Sequence, residues 1–126
     1  SVTADELMAH LDDGTFQVID ARAPERFSGA VEPIDPVGGH IPHARNHCFV
    51  RNLNADLTFK DADTLRAEWL ATLADTPIEQ VVNQCGSGVT ACHNMLAQHI
   101  AGLEGAALYA GSWSEWCSDE KRPVEK

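Results

Sequence analysis

Basic residues are scarce in this chain. Nine lysines and arginines stand against nineteen aspartates and glutamates, for a net charge of −10. A surface this acidic repels phosphate backbones and anionic headgroups, so no nucleic acid and no membrane is expected as a partner. No apolar run reaches the length of a membrane span, and no signal peptide is visible. The four cysteines, Cys48, Cys85, Cys92 and Cys117, show neither the spacing of a disulfide framework nor a CxxC zinc pattern. Reduced thiols, and with them a cytoplasmic setting, are the expectation. Internal repeats, low-complexity tracts and an internal domain boundary are missing as well. What remains is ordinary: 126 residues, 44% hydrophobic and 22% charged, enough for one compact domain with its own core.

Helical and strand patterns alternate along the chain. Thr3-Ala4-Asp5-Glu6 reads as a capping box, followed by Ala4, Leu7, Met8 and Leu11 at helical spacing up to Gly14. Phe16 to Asp20 predicts a short strand ending in a carboxylate. Residues 28–43, rich in Gly and Pro, predict a long loop. A strand is expected over Ala44 to Val50, and a helix over Asp61 to Ala74 with Leu65, Trp69 and Leu73 on one face. Gln80 to Gln84 predicts a strand that runs straight into Cys85. A helix then follows from Gly88 to Ala101, with Val89, Cys92, Leu96 and Ile100 expected inward. Ala106 to Tyr109 predicts a last strand and Ser112 to Cys117 a last short helix. Strands separated by helices imply an α/β domain, a mostly parallel central sheet with helices on both faces. Ligands of such sheets sit outside the C-terminal strand ends, where Asp20 and Cys85 fall.

The stretch Cys85-Gly86-Ser87-Gly88 carries the chemistry. A turn between strand and helix aims successive N–H groups at one point, and the helix N-terminus adds the positive end of its dipole. Such a setting favours thiolate over thiol and suits a small anion or a persulfide. Gly86 and Gly88 let the backbone bend, while Ser87 and Thr90 add hydroxyl donors. Cys92, on the face read as inward, is expected to be core, and Cys48 and Cys117 to be structural.

Cys85-Gly86-Ser87-Gly88-Val89-Thr90-Ala91 resembles the active-site loop of the rhodanese-fold sulfurtransferases, most closely their mercaptopyruvate branch. Asp20-Ala21-Arg22 with Arg26-Phe27 and Gly29, then Gly39-His40-Ile41-Pro42 with Ala44, and Tyr109 to Trp116 resemble the family's other signatures, in order. The resemblance implies a rhodanese-like domain and a double displacement. Cys85 takes a sulfane sulfur from a small anionic donor, mercaptopyruvate or thiosulfate, and passes it to a thiol or cyanide acceptor. It implies substrate binding by Gly86, Ser87, Gly88, Val89 and Thr90, with Arg26 holding the donor's negative end. No cofactor and no metal is implied. Asp20 and Arg22 are expected to brace the first loop. Two positions depart from the pattern. His43 replaces a glycine, and Asp35 stands where the mercaptopyruvate branch tends to carry a second arginine, leaving Arg45 and Arg51 as possible substitutes. By resemblance to tandem relatives, the chain is expected to be the C-terminal catalytic half of a protein with an N-terminal rhodanese domain. The absence of Met before Ser1 fits that expectation.

Three other readings compete. Cysteine phosphatases place an arginine after five intervening residues, where this chain has Ala91. A non-catalytic rhodanese-like binding or regulatory module usually lacks the cysteine. His40, His43, His47 and Cys48 lie close together, but their spacing matches no standard zinc pattern. His93 and His99 are expected at the surface.

Overall fold

The computed structural model of the chain describes residues 1–86 and 89–126. Helix α1 (Ala4–Ala9) opens on the expected capping box. The Thr3 hydroxyl accepts from the Glu6 N–H, and the Glu6 carboxylate accepts from the Thr3 N–H. Strand β1 (Gln17–Asp20) leads into the short α2 (Pro24–Phe27), with Pro24 at a helix start where its missing N–H costs nothing. Strand β2 (Arg45–Asn46) is much shorter than Ala44 to Val50. The chain leaves the sheet there because the Arg51 N–H turns back onto the Cys48 carbonyl, forming a 3-10 turn over Phe49–Asn52. Helix α3 (Ala62–Leu73) is capped by Asp61, whose carboxylate accepts from the Thr64 N–H. Strand β3 (Val81–Gln84), helix α4 (Val89–Ile100), strand β4 (Ala107–Leu108) and helix α5 (Ser112–Trp116) complete the chain.

The four strands run parallel in the order β2-β1-β3-β4, which puts β1 and β3 at the centre. In register, Val18 pairs with Val82 and Asp20 with Gln84, so these side chains share one face. That face packs on Ala4 and Leu7 of α1 and on Trp113 and Trp116 of α5. Ile19 and Val81 point to the other face, against Leu65, Trp69 and Leu73 of α3, Ala97 of α4 and Ala101 just past its end. The expected α3 stripe is therefore the core stripe. The three tryptophans are fully buried, and each removes about 150–250 Å² from water.

Helix α4 reverses the expectation. Val89 is 75% exposed, Leu96 49% and Ile100 36%, and Cys92 is exposed too. The buried face carries Ala91, Asn94, Ala97 and Gln98 instead. Small residues let the helix lie close to the sheet, and the two amides are satisfied inside. Asn83 and Gln98 exchange two hydrogen bonds of 3.0 and 2.9 Å. Asn94 donates to the His47 carbonyl at 2.9 Å and accepts from Asn52 at 2.7 Å. Buried amides matched in this way cost little, so hydrophobic spacing alone misassigns the face.

At Gly39, with φ +114°, a side chain would begin 2.6 Å from the Glu125 carbonyl and 2.8 Å from Val124. Only glycine admits the C-terminal tail there, where His40 and Glu125 exchange backbone hydrogen bonds. His43, which stands where the resembled pattern has glycine, adopts a left-handed backbone at φ 69°, a conformation costing about 1 kcal/mol or more for a side-chain residue. No helix of the described residues is long and apolar enough to cross a membrane.

Candidate active site

Cys85 lies immediately past the C-terminal end of β3, at a central position in the sheet. Its side chain is 1% exposed and packs with Ala21 and Ala91. Ala91 occupies the position that a phosphatase would give to arginine, and it is buried on the inward face of α4. Ser87 and Gly88, both expected in the loop, lie outside the described residues. Val89 opens α4 with its side chain largely in solvent, and Thr90 is half-buried beside it.

The main chain of Cys85 and Gly86 is fixed by the start of α5. The Cys85 N–H donates to Ser112 Oγ at 3.1 Å, and the Ser112 hydroxyl donates to the Tyr109 carbonyl at 2.9 Å. The Trp113 and Ser114 N–H groups donate to the carbonyls of Cys85 and Gly86, each at 2.9 Å. Ser112 is fully buried and adopts φ 57°, a left-handed backbone that costs about 1–3 kcal/mol outside glycine. That strain is sustained by three hydrogen bonds made to one dipeptide. Sequence reasoning found the Tyr109 to Trp116 signature but not this role for Ser112 and Ser114.

Arg26 approaches Gly86 from the other side. A Cβ built at Gly86 would lie 3.4 Å from Arg26 Nη1 and 3.5 Å from Nη2, ordinary contact distances, so the guanidinium lies directly beside Gly86. Two carboxylates hold it there. Arg26 Nη2 donates to Glu32 at 3.2 Å and to Asp35 at 3.3 Å. Glu32 Oε2 also accepts from the backbone N–H groups of Ile34 and Asp35, at 3.1 and 3.0 Å. Burial opposes ionisation of Glu32, but these amides and Arg26 outweigh it and hold its carboxyl below the usual range. Asp35 Oδ1 accepts from the Ser114 hydroxyl at 2.8 Å. Neither Glu32 nor Asp35 was singled out as a partner of Arg26 from sequence, because the long loop gives no periodicity to read.

Asp20 and Arg22 form a buried fork-to-fork pair, with Nε 3.0 Å and Nη2 2.7 Å from the carboxylate oxygens. Arg22 also donates to the Gly39 carbonyl at 2.7 Å and stacks over Trp113 at 4.8 Å. Trp113 Nε1 in turn donates to the Val37 carbonyl at 2.9 Å. The pair thus ties β1, the long loop and α5 together behind the candidate site. Gln84 buries both polar atoms of its amide without a partner among the described residues. Arg45 donates to the Thr72 and Leu73 carbonyls at the end of α3, away from Cys85, and Arg51 is exposed on the 3-10 turn. Arg45 therefore does not supply a second clamp beside Arg26.

The histidines part company. His40 stacks on Phe27, and His43 Nε2 lies 2.8 Å from Asp12 at the surface. His47 is buried against Trp69. Among the described residues no group of three metal-ligating side chains comes together. His99 is exposed and pairs with Glu104, but His93 is only half-exposed. It stacks on Phe59 and meets Phe49 edge-on, because the 3-10 turn folds over α4.

A cysteine at the end of a central parallel strand, its backbone fixed by a serine pair and flanked by an arginine, defines a thiol-bearing α/β domain. The chain belongs to the Rhodanese-like domain family, whose model matches residues 3–119. It is 48% identical over 98% of its length to a Pseudomonas aeruginosa protein named "Probable 3-mercaptopyruvate sulfurtransferase", and spans 43% of that protein. It is 36% identical over 90% of its length to the thiosulfate sulfurtransferase of Bos taurus, of which it spans 39%. The solved 3-mercaptopyruvate sulfurtransferase from Leishmania major superposes on 98% of the chain with a TM-score of 0.78 and 30% identity, over 34% of that structure.

Proposed function

We propose that the chain is a sulfurtransferase domain that carries sulfane sulfur as a persulfide on Cys85. The observation that carries the reading is the placement of Cys85 between β3 and α4, its backbone fixed by α5 and the Arg26 guanidinium lying on Gly86. The sulfurtransferase names of relatives matching nearly the whole chain support it. In the first half-reaction the Cys85 thiolate attacks the donor's outer sulfur and forms a new S–S bond. The bond joining that sulfur to the donor breaks, and its electron pair leaves with sulfite from thiosulfate, or with the enolate that takes a proton to become pyruvate. In the second, an acceptor thiolate or cyanide attacks the outer sulfur and releases the Cys85 thiolate. Backbone N–H groups at the start of α4 stabilise both anionic forms of the cysteine. Arg26 receives the donor's negative end. The chain spans less than half the length of these relatives, which leaves room for the N-terminal rhodanese partner inferred from its resemblance to tandem proteins.

Peptide mass mapping after incubation with 3-mercaptopyruvate or thiosulfate tests the reading. One added sulfur atom is expected on Cys85. Cys85→Ser should abolish transfer, since a neutral alcohol is a far weaker nucleophile. Sulfur found on Cys92 or Cys117, or full activity in Cys85→Ser, would refute it.

A further inference from the structure

We propose that Asp35 is a charge filter beside the donor site, selecting against sulfur donors that carry two negative charges. The inference rests on the sulfurtransferase reading above. Asp35 is almost buried and touches the candidate site from two sides. Its Oδ1 accepts from Ser114, whose N–H holds the Gly86 carbonyl, and its Oδ2 pairs with Arg26, whose guanidinium lies on Gly86. Arg26, Ser114 and Asp35 thus close a ring around one peptide of the candidate loop. The ring is held in place by Glu32, which accepts the Asp35 N–H and pairs with the same Arg26 nitrogen.

The charges in this cluster do not balance. Arg22 pairs with Asp20 and also reaches Glu32 at 3.6 Å, and Arg26 pairs with Glu32 and Asp35, so two guanidiniums face three carboxylates. A donor that approaches Arg26 therefore meets one uncompensated negative charge. A donor with a single carboxylate, such as 3-mercaptopyruvate, feels that charge once, and the thiosulfate dianion feels it twice. Among the described residues Asp35, unlike Glu32, accepts from no backbone N–H, so its charge is the one that can be removed with the loop left tied.

Steady-state kinetics on the full-length chain test this, with both donors and cyanide as the common acceptor. Asp35→Asn keeps an oxygen for Ser114 and removes the charge. A partly solvated unit charge at this range is worth roughly threefold per unit of donor charge. Asp35→Asn should then raise kcat/KM about threefold for 3-mercaptopyruvate and about tenfold for thiosulfate, the dianion gaining as the square. Salt at about 0.5 M should shrink the difference. Ser114→Ala, which loses the hydrogen bond and keeps the charge, should change both donors by one common factor. Equal effects of Asp35→Asn on both donors, or the same donor shift in Ser114→Ala, would overturn the filter. Should Asp35→Asn fail to fold, Asp35→Ser, which also removes the charge, takes its place: a larger gain for thiosulfate than for 3-mercaptopyruvate is expected, and equal effects on both donors would overturn the proposal. Absence of a Cys85 persulfide would instead remove the parent reading, whatever Asp35→Asn does.

Discussion

Arg26 serves two kinds of partner at once. Its guanidinium lies on Gly86 and also binds the carboxylates of Glu32 and Asp35. Removing it therefore does more than delete a donor contact, because two nearly buried carboxylates lose their shared counter-charge. Arg26→Ala should raise KM for either donor about tenfold or more and also lower stability by about 2 kcal/mol or more. Arg26→Lys separates the two effects. The ammonium keeps the charge for Glu32 and Asp35, but it cannot lie flat on Gly86 or present a fork to a carboxylate. Stability close to wild type with a clearly raised KM is expected for Arg26→Lys, measured by urea unfolding and by donor titration. A KM unchanged in both variants would make Arg26 a structural counter-ion only.

Helix α4 shows how an element can be read correctly in type and wrongly in orientation. Its apolar residues recur at helical spacing, yet they face solvent, while Asn94 and Gln98 face the sheet. Two substitutions with opposite naive expectations follow. Leu96→Gln, at a half-exposed site, should change stability by less than about 0.5 kcal/mol. Gln98→Leu adds apolar surface to the core but leaves the Asn83 amide buried and unpaired, and should cost about 1–3 kcal/mol. Urea denaturation of both reads the contrast, and the reverse order would contradict the assigned face. Where the interior is apolar, the sequence is a good guide: the Leu65, Trp69, Leu73 stripe of α3 and the capping box of α1 both stand as read. Where the interior is amide or ionic, the pattern carries no signal. The same holds at the candidate site. Its loop is visible as Cys85 between strand and glycine, but Ser114 meets Asp35 across 79 residues, and only the fold brings them together.

At the scale of the whole molecule, His47 makes stability depend on pH. It sits where β2, α3 and α4 meet, stacked on Trp69 at 3.7 Å, with Nδ1 2.7 Å from the Thr72 hydroxyl. Its N–H donates to the Asp20 carbonyl, and its own carbonyl accepts from Asn94. Burial, reinforced by the positive charge of Arg51 and more weakly by Lys60, pushes its pKa down to about 3, with Asn52 acting in the opposite sense. An unfolded chain protonates this ring near pH 6.5, and the native state does not. Between those values the unfolded state binds more protons, so stability is full above about pH 6.5 and is lost as pH falls toward about 3. The carboxylates held low in the folded state, Asp13, Glu32, Asp56, Asp61 and Glu125, act in the same sense but titrate only below about pH 4.5. His93, also lowered by burial, is the other group that falls in the upper window. Wild-type stability measured by urea unfolding should therefore drop by about 2 kcal/mol between pH 6.5 and 5 through His47, at most about 1.4 kcal/mol per pH unit for one proton. His47→Gln removes the titrating ring, and most of that slope should vanish, whereas His93→Gln should remove a smaller part. A slope between pH 6.5 and 5 as steep in His47→Gln as in the wild type would show that the proton is taken up elsewhere.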